Sequence, residues 1–267
     1  MVKRRTYWRA ALVGAVGLLV AGCGGDGGIV SIKEPGPPVG EPQLPDIAPV
    51  APQDAHISKE DGRWLIRFST TLANIGDGDF TLRATKRDTG WEVDQDVQYS
   101  ESGARVVRTP ANLVWGGDGH GHWHVQRIAV GRLAPLKSGA RRPVEGEGWS
   151  DTKIGFCYYD YTRLLDDAPQ NAVYSSLGCG EMEDTAIGVG LSVGWMDIYP
   201  FGLPGQSIDV TDVPDGRYRL WVDVDEKKWF REKRRDNNVN WVDLELLTKA
   251  RGARYVRIIR VGPPIHA

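Results

Sequence analysis

The chain has 267 residues, and its 33 lysines and arginines nearly balance its 35 aspartates and glutamates, for a net charge of −2. That balance argues against nucleic-acid binding, which needs a basic excess to displace counterions from the phosphates. A hydrophobic content of 41% and a charged content of 25% are typical of globular proteins and exclude disorder along the whole chain.

The first 22 residues have the pattern of an export signal. A basic cluster at residues 3–5 precedes an apolar run that is too short to cross a bilayer comfortably but fits the core of a signal peptide. The run ends in Val-Ala-Gly-Cys at residues 20–23, which resembles the lipobox of bacterial lipoproteins. In such signals the peptide is removed before the cysteine, and the cysteine is acylated. We therefore expect a lipid on Cys23 that anchors an exported protein to a membrane of the bacterial cell envelope. The alternative is an ordinary secretory signal with an incidental cysteine.

Residues 23–52 are predicted to form a flexible linker, because they are rich in glycine and proline and carry few large apolar side chains. A folded domain is then expected over residues 53–267. If Cys23 carries lipid, Cys157 and Cys179 are the two cysteines that remain, and a disulfide between them would persist outside the cytoplasm. The alternative is a pair of unrelated, reduced thiols.

From about residue 56 the sequence shows short segments in which apolar and polar residues alternate. In Tyr218–Asp225, for example, one side carries apolar residues and the other carries Arg219, Trp221, Asp223 and Asp225. This alternation predicts strands with one face on a core and the other face in water. The predicted strands are Trp64–Ser69, Asp79–Thr85, Val93–Tyr99, Arg105–Val114, His122–Leu133, Lys153–Tyr161, Ser207–Thr211, Tyr218–Asp225, Val239–Leu246 and Arg254–Val261. Glycine-rich turn signals separate the segments, and no stretch has a sustained helical stripe. We therefore predict an all-β domain with the antiparallel architecture of a sandwich, or alternatively of a barrel.

Three of the five histidines, His120, His122 and His124, occupy alternate positions. Alternate residues of a strand point to the same face, with Cα atoms about 6.6 Å apart, so the three imidazoles could converge on one metal ion. Their nitrogens suit copper or zinc, and three protein ligands leave a position open for water, oxygen or substrate. The alternative is an exposed histidine-rich strand, and the pattern does not choose the metal.

Four further motifs follow one another along the chain. They are, in chain order, His120-Gly121-His122-Trp123-His124, Lys153-Ile154-Gly155-Phe156-Cys157, Asp197-Ile198-Tyr199 and Asp236-Asn237-Asn238. This order resembles that of the lysyl oxidase family, and the resemblance covers about Leu44 to Leu246. The stretch that begins at Gln206 is similar to the family's Gln-x-Ile-Asp-Ile-Thr, turn, Gly-x-Tyr-x-Leu element, and Leu44-Pro45-Asp46 resembles the opening of the family's catalytic region.

The resemblance implies a copper-dependent amine oxidase. The family's copper ligands match His120, His122 and His124, and the residues that form its lysine tyrosylquinone cofactor match Lys153 and Tyr199. Such an enzyme oxidises a primary amine, either a protein lysine or a small amine, to an aldehyde with O2, and releases ammonia and hydrogen peroxide. Without the resemblance, Lys153 would be interpreted as a solvated surface lysine and Tyr199 as a core tyrosine.

Asp197 is the candidate catalytic base, because it lies two residues from Tyr199 and would share its face of a strand. Two other roles are open for this carboxylate: orientation of the tyrosine ring, or capping of a turn. The chain also departs from animal members of the family. Those members carry a further histidine and a cysteine just before the triplet, where this chain has Trp115–Gly119, and they have extra disulfides near the tyrosine. A bacterial-type lipoprotein is not expected to act on collagen or elastin.

Two other functions compete with the oxidase hypothesis. One is a non-catalytic copper- or zinc-binding β-sandwich that needs only the histidines. The other is a surface-binding lipoprotein that uses its many aromatic residues to hold glycan or protein. Lys153 and Tyr199 discriminate between these functions, because metal binding alone requires neither residue.

Overall fold

The computed structural model describes residues 36–116, 121–137, 148–151, 153 and 155–265. Within these residues the chain forms nineteen β-strands, a 3-10 helix at Ser176–Cys179 and no α-helix. The strands are β1 (Pro42–Gln43), β2 (Ile47–Pro49), β3 (Gln53–Glu60), β4 (Arg63–Asn74), β5 (Phe80–Arg87), β6 (Gly90–Tyr99), β7 (Ala104–Arg108), β8 (Leu113–Trp115), β9 (Trp123–Gln126), β10 (Ala129–Pro135), β11 (Trp149–Ser150), β12 (Gly155–Phe156), β13 (Thr162–Arg163), β14 (Ala186–Leu191), β15 (Trp195–Tyr199), β16 (Ser207–Asp209), β17 (Gly216–Val224), β18 (Val239–Thr248) and β19 (Arg254–Val261).

The prediction of an all-β domain is confirmed. The strands form several sheets, and the neighbouring strands in them run antiparallel. One sheet has the order β1-β6-β5-β14 with β7 beside β6, and a second has the order β11-β10-β17-β18-β19. A small third sheet consists of β12, β9 and β8. The fourth is centred on β4, which pairs with β15 and β16 and also with β2 and β3.

Strand β4 lies at the centre of the hydrophobic core. Ile66, Phe68 and Leu72 are completely buried and belong to the main apolar cluster. Because β4 pairs with four other strands, its main-chain donors and acceptors are used along most of its length. The same strand therefore fixes the register of β15, which carries Asp197 and Tyr199, and of β16.

The prediction that one side of β17 faces water is wrong. Arg219, Trp221 and Asp223 are buried, like the apolar residues between them. Arg219 donates two hydrogen bonds to the Asp243 carboxylate, at 2.5 and 2.9 Å, and its guanidinium lies 3.8 Å from the ring centre of Trp241. A buried arginine is tolerated when its charge is paired and its plane is stacked. The alternation of polarity therefore predicted the strand correctly, but its polar side is buried and does not face water.

Several other predicted strands are divided or shorter than expected. The segment predicted as Arg105–Val114 divides into β7 and β8, and the one predicted as Ser207–Thr211 is a strand only at β16. The segment predicted as His122–Leu133 divides into β9 and β10 at Arg127, whose φ of +56° breaks the extended conformation. The segment predicted as Lys153–Tyr161 is a strand only at β12. Strands β3 and β14 were not predicted. Pairing with β4 and β5 holds them extended.

The folded strands begin ahead of residue 53, where the sequence suggested that the domain starts. Pro42–Gln43 pairs with the end of β6, and Ile47–Pro49 is buried against β4. The predicted signal peptide and Cys23 lie outside the described residues. Within those residues, no helix is long and apolar enough to cross a membrane.

Asn74, at the end of β4, joins three segments through its side chain. Its carbonyl oxygen accepts hydrogen bonds from the main-chain N–H groups of Asp46 and Gly76, each at 3.1 Å. Its amide nitrogen donates to the carbonyls of Gly78 and Leu191, at 3.0 and 2.9 Å. Asn74 is fully buried, so water cannot replace these contacts.

We expect Asn74→Leu to lower the free energy of unfolding by about 3 kcal/mol or more, because each buried polar group left without a partner costs about 1–3 kcal/mol. Urea denaturation followed by tryptophan fluorescence measures the change. The exposed Asn171 provides a control, and Asn171→Leu should shift stability by less than about 0.5 kcal/mol. A decrease in the free energy of unfolding below about 1 kcal/mol for Asn74→Leu would contradict the claim that this side chain holds the three segments together.

Candidate functional site

His122 and His124 bring two ring nitrogens together at the start of β9. Their Nε2 atoms are 2.9 Å apart, and their ring centres are 4.7 Å apart. Two nitrogens that each lie about 2.0–2.1 Å from one metal ion, at roughly a right angle, are about 3 Å from each other. The pair therefore fits two adjacent ligands of a copper or zinc ion. His120, the third predicted ligand, lies outside the described residues, and within them no group of three metal-binding side chains is arranged to hold an ion.

Lys153 and Tyr199 lie against each other in the interior. The Nζ atom of Lys153 is 4.9 Å from the centre of the Tyr199 ring and 5.6 Å from that of Phe156. Lys153 is 7% exposed and Tyr199 is 4% exposed. Lysine is rarely buried, so a lysine in this core is unusual. The face of the Tyr199 ring is one favourable contact for its charge.

The hydroxyl of Tyr199 is held by the main chain of Cys157. It accepts a hydrogen bond from the Cys157 N–H and donates one to the Cys157 carbonyl, both at 2.7 Å. The ring edge also packs on Phe156, with ring centres 4.6 Å apart. Burial raises the pKa of Tyr199 well above its ordinary value, and the nearby charge of Asp197 adds to the shift. The phenol therefore stays protonated at neutral pH and can make both bonds.

Strand β12 connects the lysine and tyrosine with the histidine pair. Gly155 and Phe156 pair with Gln126 and Val125 of β9. A Cβ atom on Gly155 would lie 2.5 Å from the Val125 carbonyl oxygen and 3.0 Å from the His124 Cβ. Glycine is therefore needed for β12 to approach the histidine strand this closely. As a result, one short segment borders His124 through Gly155 and borders Tyr199 through Phe156 and Cys157.

Asp197 lies on the same buried side of β15 as Tyr199, as the alternation predicts. It is inside a strand, opposite Leu72 of β4, and is not at a turn that it could cap. By hydrogen-bond geometry, neither carboxylate oxygen has a partner among the described residues. Burial raises the pKa of Asp197 well above its ordinary value, and the Ile198 N–H and the charge of Lys153 oppose this only in part. A buried carboxyl group with a raised pKa is a candidate for proton transfer in a reaction.

A comparison with known families gives a match at this part of the chain. The model of the family described as lysyl oxidase matches residues 147–253, which contain Lys153, Asp197 and Tyr199 and begin after the histidines. This part of the chain is therefore similar to the lysyl oxidase family. A match to this family suggests a copper amine oxidase-like function.

Two curated relatives are much longer than the matched region. Lysyl oxidase homolog 3 of Homo sapiens and the protein of the same name from Mus musculus are each 27% identical to this chain over 160 residues. The match covers 60% of this chain but spans only 16% of each relative's length.

The predicted disulfide between Cys157 and Cys179 is confirmed. Both cysteines are fully buried. The bridge ties the residue that holds the Tyr199 hydroxyl to the 3-10 helix at Ser176–Cys179. It therefore restrains the main chain on which the position of the tyrosine ring depends.

Sequence reasoning missed three residues that contact the site. Gly155 permits the close approach of β12 to His124, Gly205 lies against Lys153, and Gln206 donates a hydrogen bond to the carbonyl of Tyr199. Gly155 and Gln206 do occur in the motifs shared with the family. Their contacts depend on strands distant in the sequence, however, so the motifs alone did not assign them a role.

Proposed function

We propose that this protein is a copper-dependent amine oxidase that forms lysine tyrosylquinone from Lys153 and Tyr199. The observation that carries the proposal is the Nζ atom of Lys153, 4.9 Å from the centre of a buried tyrosine ring. The reaction converts a primary amine, O2 and water to an aldehyde, ammonia and hydrogen peroxide. The substrate class is a primary amine, either a lysine of a protein or peptide or a small amine.

Formation of the cofactor would join Lys153 Nζ to a ring carbon of Tyr199, add one oxygen atom to the ring and remove four hydrogen atoms. Two O2 molecules balance this change, because one oxygen atom stays in the ring and the others leave as one water and one hydrogen peroxide. His122 and His124, together with His120, would hold the copper ion. Copper and the quinone supply the oxygen chemistry and the electron sink that side chains lack.

The residues of the chain supply orientation, exclusion of water and a proton acceptor. The main chain of Cys157 and the ring of Phe156 fix the position of the Tyr199 ring. Burial of the site keeps bulk water away from the reacting groups. The carboxylate of Asp197 would accept a proton from the carbon next to the substrate nitrogen, because it shares the buried side of β15 with Tyr199.

We further propose that the enzyme works at the bacterial cell envelope. The pattern at residues 20–23 supports removal of residues 1–22 and acylation of Cys23. Residues that follow Cys23 would then link the lipid anchor to the folded domain. The inner and outer membranes are equally compatible with this pattern.

Peroxide release from cadaverine by the copper-loaded protein tests the proposed activity. We expect His122→Ala, Lys153→Ala and Tyr199→Phe each to lose nearly all turnover, by about 1000-fold or more, because removal of one member of a catalytic unit disables the whole unit.

A second lysine and tyrosine pair provides the matched control. Lys249 Nζ lies 5.3 Å from the ring centre of Tyr255, but both residues are exposed. Lys249→Ala and Tyr255→Phe should therefore leave the rate unchanged. Turnover that persists in Lys153→Ala would contradict the proposal. Bound copper without peroxide in the wild type would favour a non-catalytic metal-binding protein.

Asp197→Asn should lower kcat by about 100-fold or more, the usual contribution of a general base. The raised pKa means that ionised Asp197 destabilises the folded state above the ordinary carboxyl pKa of 3.8, so the neutral amide should not lower the melting temperature at pH 8. In the wild type, kcat/KM should rise with pH through a pKa above 3.8.

Cofactor content separates the two roles that remain for Asp197. If Asp197 is the base, Asp197→Asn forms the quinone but turns over slowly. If Asp197 orients the tyrosine ring, the variant has a lower quinone content as well. The exposed Asp167 gives a control, Asp167→Asn, which should behave like the wild type. Amine oxidation by Asp197→Asn at the parental rate would remove this residue from the mechanism.

A further inference from the structure

The loop at residues 200–206 connects the two residues of the proposed cofactor. β15 ends at Tyr199, which pairs with Thr70 of β4, and β16 begins at Ser207, which pairs with Arg67. Over this interval the partner on β4 shifts by only three residues, so the intervening chain must leave the sheet as a loop. One end of the loop follows directly from Tyr199, and the other end reaches the backbone of Lys153.

Gly205 makes the contact with Lys153. Its φ of +76° lies in the left-handed region, which glycine adopts without strain. A Cβ atom at this position would lie 3.1 Å from the Cα of Lys153 and 3.3 Å from its main-chain nitrogen. Contacts this short are tighter than ordinary van der Waals contact, so any side chain at residue 205 would push on the lysine backbone.

Gln206 makes the contact with Tyr199. Its side chain is completely buried, and its Nε2 atom donates a hydrogen bond to the Tyr199 carbonyl at 3.0 Å. Its Oε1 atom accepts from the Thr70 hydroxyl at 3.3 Å, and its main-chain carbonyl accepts from the Phe68 N–H at 3.4 Å. One glutamine therefore ties the end of the loop to β4 and back to the tyrosine from which the loop begins.

The middle of the loop is also fixed to β4. The Phe201 N–H donates to the Ser69 hydroxyl at 3.0 Å, and Arg67 donates to the carbonyls of Phe201 and Leu203 at 2.9 and 3.4 Å. Arg67 is itself held by Glu60 through two hydrogen bonds, at 2.6 and 2.7 Å. The loop is therefore anchored along its length, and a displacement at Gly205 would be transmitted to Lys153.

We propose that Gly205 and Gln206 are positioning residues that hold Lys153 at the ring of Tyr199 while the covalent bond between them forms. This inference rests on the proposed function. The reacting atoms of a bond-forming step must come within about 3–3.5 Å, and a misplacement of about 1 Å can cost on the order of 100-fold in rate. A backbone shift at Lys153 therefore affects bond formation before it affects the rest of the fold.

The test follows cofactor formation in Gly205→Ala. Copper and air are added to the copper-free full-length protein, and the appearance of quinone absorbance and the fraction of Lys153 joined to Tyr199 are followed with time. We expect both to proceed about 10-fold more slowly or worse than in the wild type. Copper binding by the histidines should be unchanged, because the three atoms nearest to a Cβ at residue 205 all belong to Lys153.

Two glycines provide matched controls. Gly202 belongs to the same loop and has open space at its Cβ position, so Gly202→Ala tests the loop without the contact. Gly252 has a φ of +79° and also has open space, so Gly252→Ala reproduces the backbone strain without the contact. Both controls should form the cofactor at the wild-type rate.

Gln206→Glu is a second variant, in case Gly205→Ala folds poorly. It keeps the size of the side chain and the acceptor for Thr70, and once ionised it cannot donate to the Tyr199 carbonyl, so at alkaline pH it should also slow bond formation. Wild-type rates in both Gly205→Ala and Gln206→Glu would overturn the positioning role while leaving the oxidase proposal standing. A wild-type protein that never joins Lys153 to Tyr199 would overturn both.

Discussion

The two hydrogen bonds between the Tyr199 hydroxyl and the main chain of Cys157 determine how the proposed site is built. They place the phenol oxygen on a segment that follows directly from β12, and β12 is paired with the histidine strand β9. The disulfide to Cys179 restrains the same residue. The positions of the tyrosine ring and the histidine pair therefore depend on one short stretch of main chain.

The sequence predicted the fold class well because the strands of this domain have a local signature. Alternation located β5, β6, β17, β18 and β19 within a few residues. It failed where burial depends on partners remote in the sequence. The polar face of β17 is internal because Asp243 and Trp241 of β18 neutralise and stack on Arg219, and no local pattern reveals such a partner. The early start of the strands, at Pro42, was missed for the same reason, since β1 and β2 are too short to show a period.

The site was predictable in part. Alternation on a strand placed Asp197 beside Tyr199, and the resemblance to a family paired Lys153 with Tyr199. Local chemistry alone would have made Lys153 a surface residue. Gly155 and Gly205 could not be predicted, because the importance of an absent side chain is visible only once its neighbours are known. Close packing of main chain around the lysine and the tyrosine is thus a property of the fold and not of any one motif.

The most direct test of the central claim is peptide mapping of the wild-type protein after exposure to copper and air. Among the residues that the structure describes, two lysine and tyrosine pairs have similar separations, with Nζ 4.9 Å from the ring centre for Lys153 and Tyr199 and 5.3 Å for Lys249 and Tyr255. The account predicts that the peptides of Lys153 and Tyr199 are covalently joined and stain as a quinone, while those of Lys249 and Tyr255 remain separate. Separate, unmodified Lys153 and Tyr199 peptides in a protein that has bound copper would contradict it.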